Sequence, residues 1–212
     1  KLSLSMFNSQ THALIGLDVS SSAVKMVELM EANGSYRLER YATEALVRDA
    51  VTDGNIANHD AVAEAIRNAW RKMGTSVKNV AMALPAAAVI SKKIMVPAGQ
   101  RERDLVAMVE SEASQYFAFA LEEVNLDFQV LGAVTNIPED VEVLIAASRK
   151  EKVEDRVAVA QAAGLKAIVM DVESYAAQSA FELVERQLPD SGRNKIIALV
   201  DVGANVTNVT VM

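Results

Sequence analysis

The chain has 212 residues, enough for one or two domains with a hydrophobic core, and its 51% apolar and 23% charged residues are typical of a globular protein. It contains no cysteine, which excludes disulfides, a thiol nucleophile and thiolate metal sites. The formal net charge of −7 argues against general nucleic-acid binding, which requires a basic surface. No apolar stretch approaches the roughly 18 residues needed to cross a bilayer, so no membrane span is expected.

The first twelve residues carry no helix or strand periodicity. Residues 1–5 precede Met6, which is the expected natural start. We interpret residues 1–12 as a tag remnant and leader, and exclude them from the fold prediction.

Three strands are predicted next, over residues 14–19, 24–30 and 36–46. The first two are rich in apolar residues, and the third alternates between polar and apolar side chains. Asn33-Gly34 between the second and third strands is a typical hairpin turn.

A helix follows, with Asn58 or Asp60 as its N-cap and Gly74 as its end. Its apolar residues fall on one face, and they are Val62, Ile66, Ala69, Trp70 and Met73. A fourth strand is predicted at residues 77–84. Three strands, a helix and a strand are the order that opens a ribonuclease-H-like sheet. A helix at 151–163, a strand at 167–171 and a helix at 174–187 would complete it.

An insertion is predicted at residues 86–149, between the fourth strand and that completion. It contains a strand, a helix and two strands, predicted at 88–96, 101–119, 124–134 and 141–148 and with residues 136–140 joining the last two. The helix carries an apolar stripe that we expect to form the core of the insertion. The stripe consists of Leu105, Val109, Ala113 and Tyr116, widened by Val106 and Phe117.

A short phrase occurs twice, near the start of the chain and at its end. Residues 15–29 and 198–212 each contain an apolar run ending in Asp-Val, a turn of small residues and a second apolar run. Asp18 aligns with Asp201 at an offset of 201 − 18 = 183. This pattern predicts one hairpin used twice.

A carboxylate at the start of a small-residue turn is typical of a phosphate site, because small side chains let backbone N–H groups and hydroxyls approach a phosphate closely. The carboxylate suits the Mg²⁺ that accompanies a nucleotide, and Mg²⁺ keeps part of its water shell. Asp18 and Asp201 are therefore predicted to reach Mg²⁺ through water. The residues predicted to hold the phosphates are Ser20, Ser21, Ser22, Lys25, Gly203, Asn205 and Thr207. Either hairpin alone is better explained as an ordinary β-turn, but the pair favours a nucleotide site.

The two hairpins resemble the phosphate loops of the actin-like ATPases, which include actin, sugar kinases, chaperones and FtsA. Lys25 stands seven residues after Asp18, where actin has a phosphate-contacting lysine, whereas Ser20 replaces the usual glycine. Glu173 lies 201 − 173 = 28 residues before Asp201, and the resemblance implies that it positions the attacking water. A purely structural interpretation is also open, because an acidic residue at a helix start is favoured by the helix dipole.

Several separated phrases between residues 14 and 212 resemble the PilM family of type IV pilus assembly. They are Ile94-Met-Val-Pro, Leu144-Ile-Ala-Ala-Ser-Arg-Lys, Ala163-Gly-Leu-Lys-Ala and Asp171-Val-Glu-Ser-Tyr-Ala-Ala. The resemblance implies an actin-like α/β fold and a cytoplasmic protein, recruited to the inner membrane, that binds ATP and Mg²⁺ and hydrolyses ATP slowly at most. It also implies that the cytoplasmic N-terminal tail of PilN binds in a groove between the insertion and the sheet. Glu112 and Tyr116 are predicted to line this groove.

By the same resemblance, residues 13–85 and 150–190 form the first actin-like subdomain, and residues 191–212 begin the second half. The chain is then expected to be a fragment that binds ATP weakly, because losing about 3 kcal/mol of adenosine contacts weakens binding roughly a hundredfold. Contacts with a second copy and with other pilus-assembly proteins are further expectations. Two alternatives remain open: a small-molecule kinase of the sugar or acetate kinase type, and a filament-forming bacterial actin.

Overall fold

A computed structural model describes residues 13–32, 34–117, 120–134, 137–185, 187–192 and 195–212. These residues form two compact units. The first contains the described residues up to Pro85 together with Asp155–Met212, and the second is Ala86–Glu154. The predicted insertion ended at residue 149, whereas the second unit ends five residues later. The predicted turn residue Asn33 lies outside the described residues.

The helices and strands follow one another along the chain in this order: β1 (Ile15–Val19), β2 (Ala23–Ala32), β3 (Ser35–Ala45), β4 (Val51–Thr52), β5 (Asn55–Ile56), α1 (His59–Met73), β6 (Asn79–Leu84), β7 (Ile90–Pro97), α2 (Glu102–Tyr116), β8 (Val124–Val134), β9 (Ile137–Arg149), α3 (Lys150–Ala162), β10 (Lys166–Val172), α4 (Glu173–Glu185), β11 (Ala198–Val202) and β12 (Thr207–Val211).

The first unit contains a mixed five-stranded sheet in the order β10-β6-β1-β2-β3. Strands β1, β2 and β3 pair antiparallel, whereas β6 pairs parallel with both β1 and β10. This is the predicted ribonuclease-H-like arrangement. Because parallel strands end at the same edge of a sheet, the residues that follow β1, β6 and β10 gather along one edge.

Helix α1 forms as the sequence predicts. Asn58, rather than Asp60, is the N-cap, and its side chain accepts a hydrogen bond from the Ala61 N–H at 3.0 Å. Gly74 ends the helix in the left-handed conformation, with a φ of 62°. Ile66 is fully buried in a cluster with residues of β1, β2 and β6, so this helix covers one face of the sheet. Trp70 is half-buried, and its Nε1 donates to the Val77 carbonyl at 2.8 Å.

The second unit is a three-stranded antiparallel sheet in the order β7-β9-β8, with α2 packed on it. Its central strand β9 begins at Ile137, so the prediction that residues 137–140 are a loop was wrong. Ile137 pairs with Val134 of β8 and Asp140 with Pro97 of β7, and these partners extend the strand. Asn136 lies outside the described residues.

The apolar stripe on α2 differs from its prediction at one end. Leu105, Val109, Ala113 and Phe117 are buried at steps of four residues, so the stripe passes through Phe117. Tyr116 is 50% exposed. The predicted helix extended to residue 119, but α2 ends at Tyr116, and residues 118 and 119 lie outside the described part of the chain.

Candidate functional site

The two hairpins predicted from the repeated phrase share their loop length and their closing hydrogen bond. Strands β1 and β2 close with Val19 opposite Val24, and β11 and β12 close with Val202 opposite Thr207. Each therefore has a four-residue loop, residues 20–23 and 203–206. The Ser20 N–H donates to the Ala23 carbonyl at 3.0 Å, and the Gly203 N–H donates to the Val206 carbonyl at 2.9 Å. The repetition of one hairpin is confirmed.

Ser20 uses its side chain to stabilise the first loop, which we call the phosphate-1 loop (residues 20–23). Its Oγ donates to the Ala23 carbonyl at 3.0 Å, beside the hydrogen bond from its own N–H. The N–H groups of Ser21 and Ser22 make no backbone hydrogen bond within the described part of the chain. These two N–H groups and their hydroxyls are therefore the donors that this loop can offer to an anion.

Asp18 and Lys25 lie directly opposite each other in the β1–β2 ladder. The Lys25 Nζ is 3.4 Å from the Asp18 Oδ2, and both side chains are about half exposed. Exposed ion pairs contribute about 0–1 kcal/mol, so a phosphate could replace this contact at little cost. At the same register, β11 and β12 place Asn208 opposite Asp201. Only the first hairpin carries a lysine at this position.

The second loop, which we call the phosphate-2 loop (residues 203–206), requires glycine at its first position. A Cβ added to Gly203 would lie 2.8 Å from the Val206 carbonyl oxygen, a separation that would force the turn apart. Asp201, Asn205 and Thr207 are exposed. Hydroxyl, amide, ammonium and carboxylate groups are thus present at the two loops, and this donor set fits a magnesium-bound phosphate. Within the described residues, no three His, Cys, Asp or Glu side chains are close enough together to hold a metal directly.

Glu173 is the first residue of α4 and follows β10 without a connecting loop. Burial raises the pKa of its carboxyl group above 4.5, the Arg156 guanidinium lowers it, and the Asp18 and Asp201 carboxylates raise it further. The positive end of a helix dipole would lower this pKa, so burial dominates. Asp18 and Asp201 therefore each lie close enough to Glu173 to affect its pKa. A titratable group perturbed in this way is a candidate functional residue.

Arg156 in α3 is the residue of this region that sequence reasoning missed. Its side chain is only 3% exposed, and burial lowers the pKa of its guanidinium, against the opposing effects of Glu173, Asp18 and Asp155. The signal was present in the sequence, because Arg156 stands at helical spacing between the buried residues Val153 and Ala160. His59 is exposed, and its Nε2 lies 3.3 Å from the Asp155 Oδ1.

The two residues predicted to bind a peptide lie on α2 in the second unit. Tyr116 points away from the core, and the Lys92 Nζ lies 3.0 Å from the centroid of its ring. With this contact in place, Tyr116 is still 50% exposed. Glu112 is half-buried one helical turn earlier.

The strand order and the paired hairpins define an α/β protein with the actin-like ATPase fold. A family model described as type IV pilus assembly protein PilM matches residues 16–212. The chain therefore belongs to the PilM family.

The solved structures that are similar to this chain include the following three. The PilM–PilN type IV pilus biogenesis complex is 28% identical with a TM-score of 0.79, and the match covers 96% of this chain and 58% of that one. The cytoplasmic domain of EpsL, an inner-membrane component of the type II secretion system of Vibrio cholerae, is 14% identical with a TM-score of 0.50, over 77% of this chain and 58% of that one. A Bacteroides thetaiotaomicron protein with an actin-like ATPase fold is 11% identical with a TM-score of 0.45, over 98% and 68%.

The chain spans 58% of the length of the protein in the PilM–PilN structure. In the described part of the chain, none of the helices combines the length and the apolar character needed to cross a membrane.

The raised pKa of Glu173 predicts a pH-dependent cost to folding. A carboxyl group with a folded pKa above its unfolded value destabilises the protein as it ionises, so the cost appears as pH rises from about 4.5 and is complete above the folded pKa. Glu173→Gln removes this cost. The difference in free energy of unfolding between Glu173→Gln and the wild type, measured by urea denaturation, should therefore grow in favour of the variant from pH 4 towards pH 8.

The control is Glu182→Gln, at an exposed position of the same helix. It should differ from wild type by a nearly constant amount over this pH range. A Glu173→Gln difference that is flat, or that falls with pH, would contradict the environment assigned to Glu173.

Proposed function

We propose that this chain is the nucleotide-binding and PilN-binding part of a type IV pilus assembly adaptor. The observation that carries the nucleotide proposal is the repeated hairpin, in which two loops of equal length are closed by the same hydrogen bond and preceded by Asp18 and Asp201. The actin-like fold supports nucleotide binding in general. That the ligands are ATP and Mg²⁺ is part of the proposal.

The phosphate-1 loop supplies most of the phosphate contacts. The N–H groups of Ser21 and Ser22 and their hydroxyls donate to phosphate oxygens, and Lys25 leaves Asp18 to add its charge. Asp18 is then available to Mg²⁺ through a bound water. Charge-assisted hydrogen bonds of this kind are about twice as strong as neutral ones.

The phosphate-2 loop approaches the other side of the same group. Gly203 keeps the turn narrow, and Asn205 and Thr207 provide an amide and a hydroxyl. Asp201 is the second water-mediated Mg²⁺ ligand. Glu173, half-buried and near both aspartates, positions water beside the phosphates. Its raised pKa makes the ionised carboxylate a stronger proton acceptor.

Lys25→Ala should weaken Mg-ATP binding about tenfold to a hundredfold, because a hydrogen bond from a charged donor contributes about 1.5–3 kcal/mol. The matched control is Lys166→Ala, at an exposed position of β10. Affinity can be measured by NMR titration, which detects the weak binding expected of this chain. Equal affinity of Lys25→Ala and wild type would contradict the assignment of the phosphate-1 loop.

The partner proposal rests on family membership and on the similarity to the PilM–PilN complex. We place the PilN tail on α2 at Tyr116 and Glu112. Tyr116 offers an exposed ring already oriented by Lys92, and a preoriented aromatic side chain is a typical peptide-binding hot spot. Binding of this tail would bring the protein from the cytoplasm to the inner membrane.

A fluorescently labelled peptide of the PilN cytoplasmic tail should bind saturably in a polarisation titration, and a scrambled peptide should not. Tyr116→Ala should weaken the binding about tenfold, the usual effect of removing a hot-spot aromatic residue. Glu110→Gln, at an exposed position of the same helix, is the control.

Binding that Tyr116→Ala leaves unchanged would locate the tail elsewhere on the protein. If the peptide does not bind to a folded chain, the adaptor function is contradicted, and the kinase and filament alternatives are favoured instead. Membership of a pilus assembly family favours the adaptor over both.

A further inference from the structure

Arg156 is a cation at a position that helical spacing assigns to the core. It lies three residues after Val153 and four before Ala160, and all three are buried. Among the described residues, it is the only lysine or arginine in the buried class. Because a buried charge is unfavourable unless other groups compensate it, this arginine needs partners of the opposite charge.

The side chain of Arg156 donates a hydrogen bond to the tight turn between β4 and β5. The Arg156 Nη2 donates to the Gly54 carbonyl at 3.2 Å. Asp53 and Gly54 both have positive φ angles, 51° and 75°, as in a type I′ turn. A Cβ on Gly54 would lie 2.8 Å from the Pro85 Cγ, so the turn packs closely against the residue that follows β6.

Carboxylates from three elements provide the compensating charge. Burial lowers the pKa of the Arg156 guanidinium, whereas Glu173 at the start of α4, Asp18 of β1 and Asp155 of α3 raise it, Glu173 the most. Arginine remains protonated in proteins, so Arg156 is a permanent cation in this group. Glu173 in turn faces the like charges of Asp18 and Asp201. Without Arg156, this edge would carry acidic groups that repel one another.

We propose that Arg156 is a positioning residue of the candidate nucleotide site: its buried guanidinium is anchored to the turn at Gly54 and offsets the negative charge of Asp18 and Glu173 where β1, β6 and β10 end. This proposal rests on the proposed nucleotide function. It adds a residue that would act on the site through Asp18 and Glu173, without contact to the nucleotide.

The first test is a ligand-free double-mutant cycle between Arg156→Gln and Glu173→Gln, read as the urea midpoint at pH 7. In a chain that also carries Glu173→Gln, Arg156→Gln should lower the urea midpoint much less than it does in the wild-type chain. The reason is that removal of Arg156 then no longer leaves the Glu173 carboxylate uncompensated. The control is Arg67→Gln, which loses an arginine hydrogen bond to the Ala162 carbonyl. Its effect should be the same with and without Glu173→Gln.

Equal losses for Arg156→Gln in both backgrounds would overturn the proposal and leave Arg156 as a structural hydrogen-bond donor. If Arg156→Gln alone does not fold, a folded double variant supports the proposal. A double variant that also fails to fold overturns it.

The second test is Mg-ATP affinity of the folded variants. Arg156→Lys keeps the charge, so its affinity for Mg-ATP should be close to that of the wild type. The double variant Arg156→Gln, Glu173→Gln should bind Mg-ATP at least about tenfold more weakly than Glu173→Gln alone, as expected for loss of a supporting residue. Unchanged affinity would overturn the positioning role. If wild type itself does not bind nucleotide, the proposed function fails, while the ligand-free cycle still reports whether Arg156 compensates these charges.

Discussion

The parallel pairing of β6 with β1 and β10 is the constraint on which the rest of the first unit depends. It makes three strands end at one edge, and the residues that follow them become neighbours although they are far apart in the chain. Asp18 lies near the end of β1, Pro85 follows β6 and Glu173 follows β10. In α/β sheets, ligands bind at the carboxyl ends of the strands because the backbone leaves a crevice there.

The two hairpins share one register and one closing hydrogen bond but carry different side chains. Both loops have four residues closed by the same hydrogen bond. The first carries Ser20 and Lys25, and the second carries Gly203 and Asn208 at the corresponding positions. The first hairpin therefore carries a positive charge at this register, whereas the second carries a neutral amide. A phosphate held between them would meet an asymmetric set of contacts, which is suited to orienting it.

The sequence predicted those parts of the structure that depend on local signals. The cap at Asn58, the end of α1 at Gly74 and the hairpin loops all follow from residues within a few positions of one another. Long-range contacts were harder to predict. The early start of β9 at Ile137 depends on partners in β7 and β8, and nothing in residues 136–140 indicates them.

The buried faces of the helices illustrate the same limit. Helical periodicity allowed either Tyr116 or Phe117 to complete the stripe on α2, and packing on the sheet buried Phe117. Arg156 was not predicted because its charge argues for solvent, and two of the three carboxylates that raise its pKa come from other elements, β1 and α4. Such a departure from the apolar pattern is itself a signal, since residues that break a local rule are often found at functional sites.

The claim that the two hairpin loops and Glu173 form one nucleotide site can be tested most directly by two-dimensional NMR of the ¹⁵N-labelled chain titrated with Mg-ATP. The account predicts saturable amide shifts concentrated at residues 20–25, at Glu173 and at residues 203–207, with one shared affinity. Shifts confined to the second unit (Ala86–Glu154), or different affinities for the two loops, would contradict it.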